Sequence, residues 1–181
     1  NPASSSPGLA FLLTTISIYG EDSYLDFWQA LKQNNLLITD GWSEAYWDEF
    51  SASGQGQRPL VVSYATSPAA EVYFSEGLYD TPPTGAILAE QTCFRQIEYV
   101  GVLRGTEQQD LAQKFIDFML SREYQADIPL KMWVFPARLD VALPEVFQNH
   151  AQIALDPITG QDLDIENQRE TWVKAWREIM R

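Results

Sequence analysis

A chain of 181 residues, 45% hydrophobic and 13% aromatic, has enough apolar surface for a packed core, which argues against wholesale disorder. The net charge of −13, from 25 acidic and 12 basic residues, leaves no basic stripe and argues against nucleic acid or an anionic membrane surface as partner. One cysteine, Cys93, rules out an intrachain disulfide, and no apolar run approaches the length of a membrane span.

The length suits one domain, or one large lobe with a small appendage. The chain opens on Asn1-Pro2 without a methionine. It therefore reads as a processed protein or an excised piece, and missing targeting signals carry no weight.

The first element is announced by Ser4-Ser5-Ser6-Pro7-Gly8 ahead of an apolar run. Serine caps helix starts by accepting from first-turn N–H groups, and proline suits the first helical position. These residues predict a helix over Pro7–Tyr19, with Ser6 as N-cap and Gly20 as its stop. A helix start with adjacent hydroxyls can hold an anion, or the serines can serve as caps alone. A second helical pattern follows Tyr24, with Leu25, Trp28, Ala30 and Leu31 near one face and Asn34-Asn35 as its stop.

Leu36–Thr39 reads as a short buried strand ended by Asp40-Gly41. Trp42–Phe50 reads as a helix whose aromatics at 42, 46 and 50 share a side. Ser51–Arg58 is a loop, and Leu60–Tyr64 is a continuous apolar strand of the kind covered on both faces. Thr66-Ser67-Pro68 starts a short helix through Ser75. Ile87–Ala89 and Gln96–Leu103 read as further strands, and Leu111–Leu120 as an amphipathic helix presenting Leu111, Phe115, Phe118 and Met119. Ile128–Pro144 is irregular, with three prolines. Thr171–Met180 closes the chain as a helix striped by Trp172, Trp176 and Ile179. Strands alternating with helices predict an α/β fold around one mixed sheet.

No catalytic constellation emerges. His150 is the sole histidine, and together with a single cysteine it excludes most zinc and thiol chemistries. There is no nucleophile elbow, phosphate-binding loop or dinucleotide fingerprint. The chain reads as a non-enzyme that needs no cofactor and no metal. Aromatic or hydroxyl residues do recur at element ends: Ser5, Ser6, Trp42, Tyr64 and Trp133. Each can be a core or capping residue. Together they describe a cleft with an anion-holding helix start and aromatic walls, suited to a flat cationic ligand.

Those residues carry a resemblance. Asn1–Leu9, Gly41-Trp42-Ser43-Glu44-Ala45-Tyr46 and Leu60–Ala69 are similar to the thiamine-binding periplasmic proteins of ABC importers. The similarity continues through Leu111–Phe115, Asp117–Ser121, Ile128-Pro129, Trp133–Pro136 and the last helix. It implies one lobe of a type II periplasmic-binding-protein fold, a mixed central sheet flanked by helices, with the first lobe largely missing. Residues 1–103 would be the second lobe, and 104–181 the crossover helices and C-terminal segment completing the cleft.

By resemblance, Ser5 and Ser6 face a phosphate or hydroxyl end of thiamine or thiamine phosphate, while Trp42, Tyr64 and Trp133 line its pocket. An ABC permease would be the partner, and the protein would be exported to the periplasm or cell surface, where a lipid can anchor it. Where the family often has a further aromatic, this chain has Ala70, with Tyr73 one turn on. Other small anions or phosphonates, or a thiamine-precursor enzyme using Cys93, are the alternatives. The uncovered apolar face of Leu111–Leu120 further predicts self-association of so short a chain.

Overall fold

The computed structural model describes residues 1–52 and 56–181, so residues 53–55 of the expected Ser51–Arg58 loop lie outside the described residues. The regular elements among the described residues are helical. In chain order they are α1 (Ser6–Tyr19), α2 (Tyr24–Gln33), α3 (Trp42–Glu44) with a π-turn over Ala45–Glu49, and α4 (Ser67–Phe74). Then come α5 (Gln109–Met119), α6 (Arg122–Met132), α7 (Glu145–His150) and α8 (Ile165–Met180). No helix among the described residues is long and apolar enough to cross a membrane.

Contacts divide the chain into two compact units. The first comprises Asn1–Tyr64, Ile87–Gln96 and Ile153–Arg181. Its core is built by α1, α2 and α8, which bury Leu12, Leu13, Ile16, Tyr24, Trp28, Trp172, Val173 and Trp176 together. The residues of α1 from Leu12 to Ile16 are all buried, because the helix is covered on more than one side. Its cap is Ser5 rather than Ser6, one residue earlier than the sequence predicts: the Ser5 hydroxyl accepts from Gly8 N at 3.1 Å.

Gly20 ends α1 at φ 78°, a conformation that costs glycine little. Asn34 ends α2, and Asn35 turns the chain at φ 63°. Two of the three tryptophans in this core have their indole nitrogens matched, while Trp176 Nε1 is buried without a hydrogen-bond partner among the described residues. Trp28 Nε1 donates to Thr15 Oγ1 at 3.0 Å, and Trp172 Nε1 donates to the Glu21 carboxylate at 3.1 Å. The C-terminal helix begins earlier than the sequence pattern suggests, because Asp164 caps it by accepting from Asn167 N.

The second unit comprises Ala65–Ala86 and Ile97–Gln152. The irregular segment expected over Ile128–Pro144 is corrected here, since α6 runs through Pro129 to Met132. Pro129 removes one helical donor, but its ring is fully buried, and the Gln125 side chain braces the same helix. That amide donates to Met119 O at 2.8 Å and accepts from Ala137 N at 2.7 Å. Trp133 ends α6 in a left-handed conformation at φ 57°. On α5 no residue is buried: Leu111 is 62% and Phe115 56% exposed.

The mixed sheet expected over Leu36–Thr39, Leu60–Tyr64 and Gln96–Leu103 does not form among the described residues. These segments run without a ladder, and the β-type pairings present are two isolated parallel bridges, Phe50 with Arg58 and Phe94 with Ile158. The physical reason is that a strand has no internal hydrogen bonds. An apolar β-branched run predicts extended backbone, but a ladder also needs a neighbouring strand alongside it. Gln96–Leu103 is the clearest case, with Tyr99 86% exposed.

Candidate functional site

In the first unit the start of α1 is stitched to the segment that delivers Trp42. Asn1 O accepts from Ser4 N and Ser5 N, closing a turn against which Gly8 packs. A Cβ at Gly8 would meet the Asn1 carbonyl at 2.8 Å, so this close approach requires glycine. The Ser4 hydroxyl donates to Asp40 O at 2.7 Å, and Thr39 Oγ1 donates to Gly41 O at 2.8 Å. The chain then enters α3 at Trp42 with its direction set by both ends. A cavity of about 90 Å³ opens between these pieces, lined by Ser5, Phe11, Trp28, Trp42 and Val62 among others.

Trp42 is held on several sides. Its ring stacks on Tyr46 at 4.9 Å and 26°, and meets Tyr64 edge-on at 5.6 Å. Its Nε1 donates to Ser63 Oγ at 2.9 Å. Tyr46 is buried beneath, and Tyr64 is 40% exposed. The expected single helix over Trp42–Phe50 is in fact a helical turn followed by a π-turn, with Phe50 N donating to Ala45 O at 3.1 Å. Tyr46 therefore sits under Trp42 as the sequence spacing suggests, while Trp47 is brought against both rings.

Of the five site residues expected from sequence, Ser5 and Trp42 line one cavity, and Tyr64 touches Trp42. Ser6 is exposed in the first turn of the same helix. The Ser5 oxygen accepts from Gly8 N, so this hydroxyl serves as the cap of the helix. Trp133 belongs to the second unit. There its carbonyl accepts from Thr66 Oγ1 at 2.7 Å, and its ring is surrounded by Tyr73 at 5.3 Å, Phe74 at 5.1 Å and Phe147 at 5.6 Å.

Sequence reasoning missed Trp47, Ser63, Phe74 and Phe147. Ser63 was findable as the residue beside Tyr64, but Trp47 lay off the α-helical face and gave no signal. Cys93 is half-buried, and its thiol donates to Ile87 O at 3.4 Å. His150 is the last residue of α7. Among the described residues no group of His, Cys, Asp or Glu could hold a metal ion. The arrangement can present aromatic faces and hydroxyl donors to a solute.

Comparisons with known proteins add to this geometry. Residues 1–162 match the sequence model of a family described as bacterial extracellular solute-binding protein. Three curated relatives, each named thiamine-binding periplasmic protein, align over nearly the whole chain. The one from Escherichia coli K12 is 32% identical across 99% of this chain and 52% of its own length. The one from Salmonella typhimurium is 34% identical across 99% and 52%, and the one from Brucella suis 30% identical across 97% and 50%. The chain thus spans about half the length of the curated relatives it matches.

Proposed function

Because this chain belongs to the bacterial extracellular solute-binding protein family, we propose that it forms part of a receptor for thiamine or a thiamine phosphate. The receptor serves an ABC importer in the periplasm or at the cell surface, with or without a lipid anchor. The observation carrying this reading is the Trp42–Tyr64 pair over the buried Tyr46, with Trp42 fixed by the Ser63 hydroxyl, beside a serine-capped helix start. Aromatic faces suit the cationic thiazolium, and helix N–H groups with serine hydroxyls suit a phosphate or hydroxyl tail. The curated relatives are named as binding proteins, which agrees with a non-enzymatic role.

The whole receptor has the type II periplasmic-binding fold in this reading. Residues 1–103 belong to its second lobe, and 104–181 complete the cleft. The mixed sheet through Leu36–Thr39, Leu60–Tyr64 and Gln96–Leu103 forms when the strands supplied by the remaining half of such a receptor lie alongside.

Calorimetric titration of the protein at its natural length with thiamine, its mono- and diphosphate, and a phosphonate tests the reading. Saturable binding of a thiamine form supports it, and heat from the phosphonate alone overturns the choice of ligand. The 181-residue chain by itself self-associates through the exposed Leu111, Phe115 and Phe118 of α5 and binds thiamine weakly. Light scattering showing a clean monomer, together with micromolar thiamine affinity, contradicts both statements.

A further inference from the structure

In a regular α-helix residues five apart lie about 140° from one another, so Trp47 would face away from Trp42. The wider π-turn over Ala45–Glu49 changes that. Trp47 stands edge-on to Trp42 with ring centroids 6.4 Å apart, and edge-on to Tyr46 at 5.2 Å. Its indole is nevertheless 50% exposed. Trp42 therefore has a half-open aromatic neighbour in both directions, Tyr64 and Trp47, over the buried Tyr46. The sequence around these rings carries Asp40, Glu44, Asp48 and Glu49, and no lysine or arginine between residues 33 and 57. Aromatic faces and a local excess of carboxylates both favour a cation over a neutral or anionic ring.

We propose that Trp47 is a further ligand-contacting residue, an aromatic ledge beside Trp42 that packs on a planar cationic ring and favours it over neutral analogues. This rests on the solute-receptor reading and deepens it, assigning to the π-turn the task of turning a fifth-position indole toward the ligand. Ser63, which receives the Trp42 indole N–H, fixes the ring against which Trp47 is set.

The test is titration of thiamine, and of its neutral tricyclic oxidation product thiochrome, into wild-type protein of natural length and into Trp47→Ala and Trp47→Phe variants, with a thermal melt of each. The expected result is about tenfold weaker thiamine binding by W47A at an unchanged melting temperature, with W47F within about threefold of wild type. The loss for thiochrome should be smaller. Should W47A melt early, Trp47→Leu keeps apolar bulk without the ring face and should show the same selective loss. Wild-type affinity in W47A, or equal losses for the cationic and neutral ligands, overturns the proposal for Trp47 while the receptor reading stands. Failure of the wild-type protein to bind thiamine overturns both.

Discussion

Trp28 and Trp42 are the same residue type placed in one compact unit, yet their surroundings differ. Trp28 is 4% exposed, wedged edge-on against Phe11 and Trp176, with its N–H given to Thr15. Trp42 also gives its N–H to a hydroxyl, that of Ser63, and also packs on other rings, but its neighbours Tyr64 and Trp47 stand half in water. The core tryptophans lie on helix faces that meet other helices. The candidate-site tryptophans lie at the start of a short helix, Trp42, and in the π-turn that follows it, Trp47. A hydrogen-bonded indole is common to both settings, so what separates scaffold from site is the open face of the rings, and substitutions in the two groups should fail in different ways.

The sharpest separation comes from truncation. Trp28→Ala should lower stability by about 3–5 kcal/mol, read as a shifted midpoint in chemical denaturation, because it leaves a cavity among α1, α2 and α8. Trp42→Ala or Tyr64→Ala should leave that midpoint nearly unchanged and weaken ligand binding by about 1–3 kcal/mol in a calorimetric titration. Should both variants bind normally, these rings are scaffold too and the contrast collapses. Thr15→Val, which keeps the shape but strands the Trp28 donor, should destabilise by about 1–3 kcal/mol without touching affinity in the folded fraction.

A smaller effect is set by pH. Burial in the core raises the Tyr24 phenol above its usual range, and the charge of Glu21 raises it further. The neutral form is therefore favoured more in the folded than in the unfolded state. The stability this brings is complete below pH about 10 and is lost as pH rises through the folded-state value. Denaturation midpoints followed into the alkaline range should fall for wild type, and fall less steeply for Tyr24→Phe.

Local signals in the sequence were legible where the physics is local. The serine-proline start and Gly20 stop of α1, the Asn34-Asn35 stop of α2 and the aromatic stripe of α8 all rest on residues within a turn or two of each other. The one-residue slip from Ser6 to Ser5 at the first cap reflects a choice among three adjacent hydroxyls. Strand runs such as Leu60–Tyr64 read as ladder members, yet no ladder forms there among the described residues, since pairing depends on a second segment. Pro129 inside α6 misled in the other direction, because a buried ring and the Gln125 bridge hold a helix that proline alone argues against. At the site, the meeting of Trp42 with Tyr64 followed from element ends. Trp47 did not, because a 3.6-residue period assigns it to another face and the π-turn overrides that period.

The most direct test of the distinction between scaffold and site is the tryptophan indole N–H spectrum of the isotope-labelled, natural-length protein, recorded during a thiamine titration with resonances assigned by single Trp→Phe replacements. The account predicts that the Trp42 and Trp47 indole signals shift with saturation while those of Trp28 and Trp172 stay in place. Movement of the Trp28 and Trp172 signals with Trp42 unmoved would contradict it.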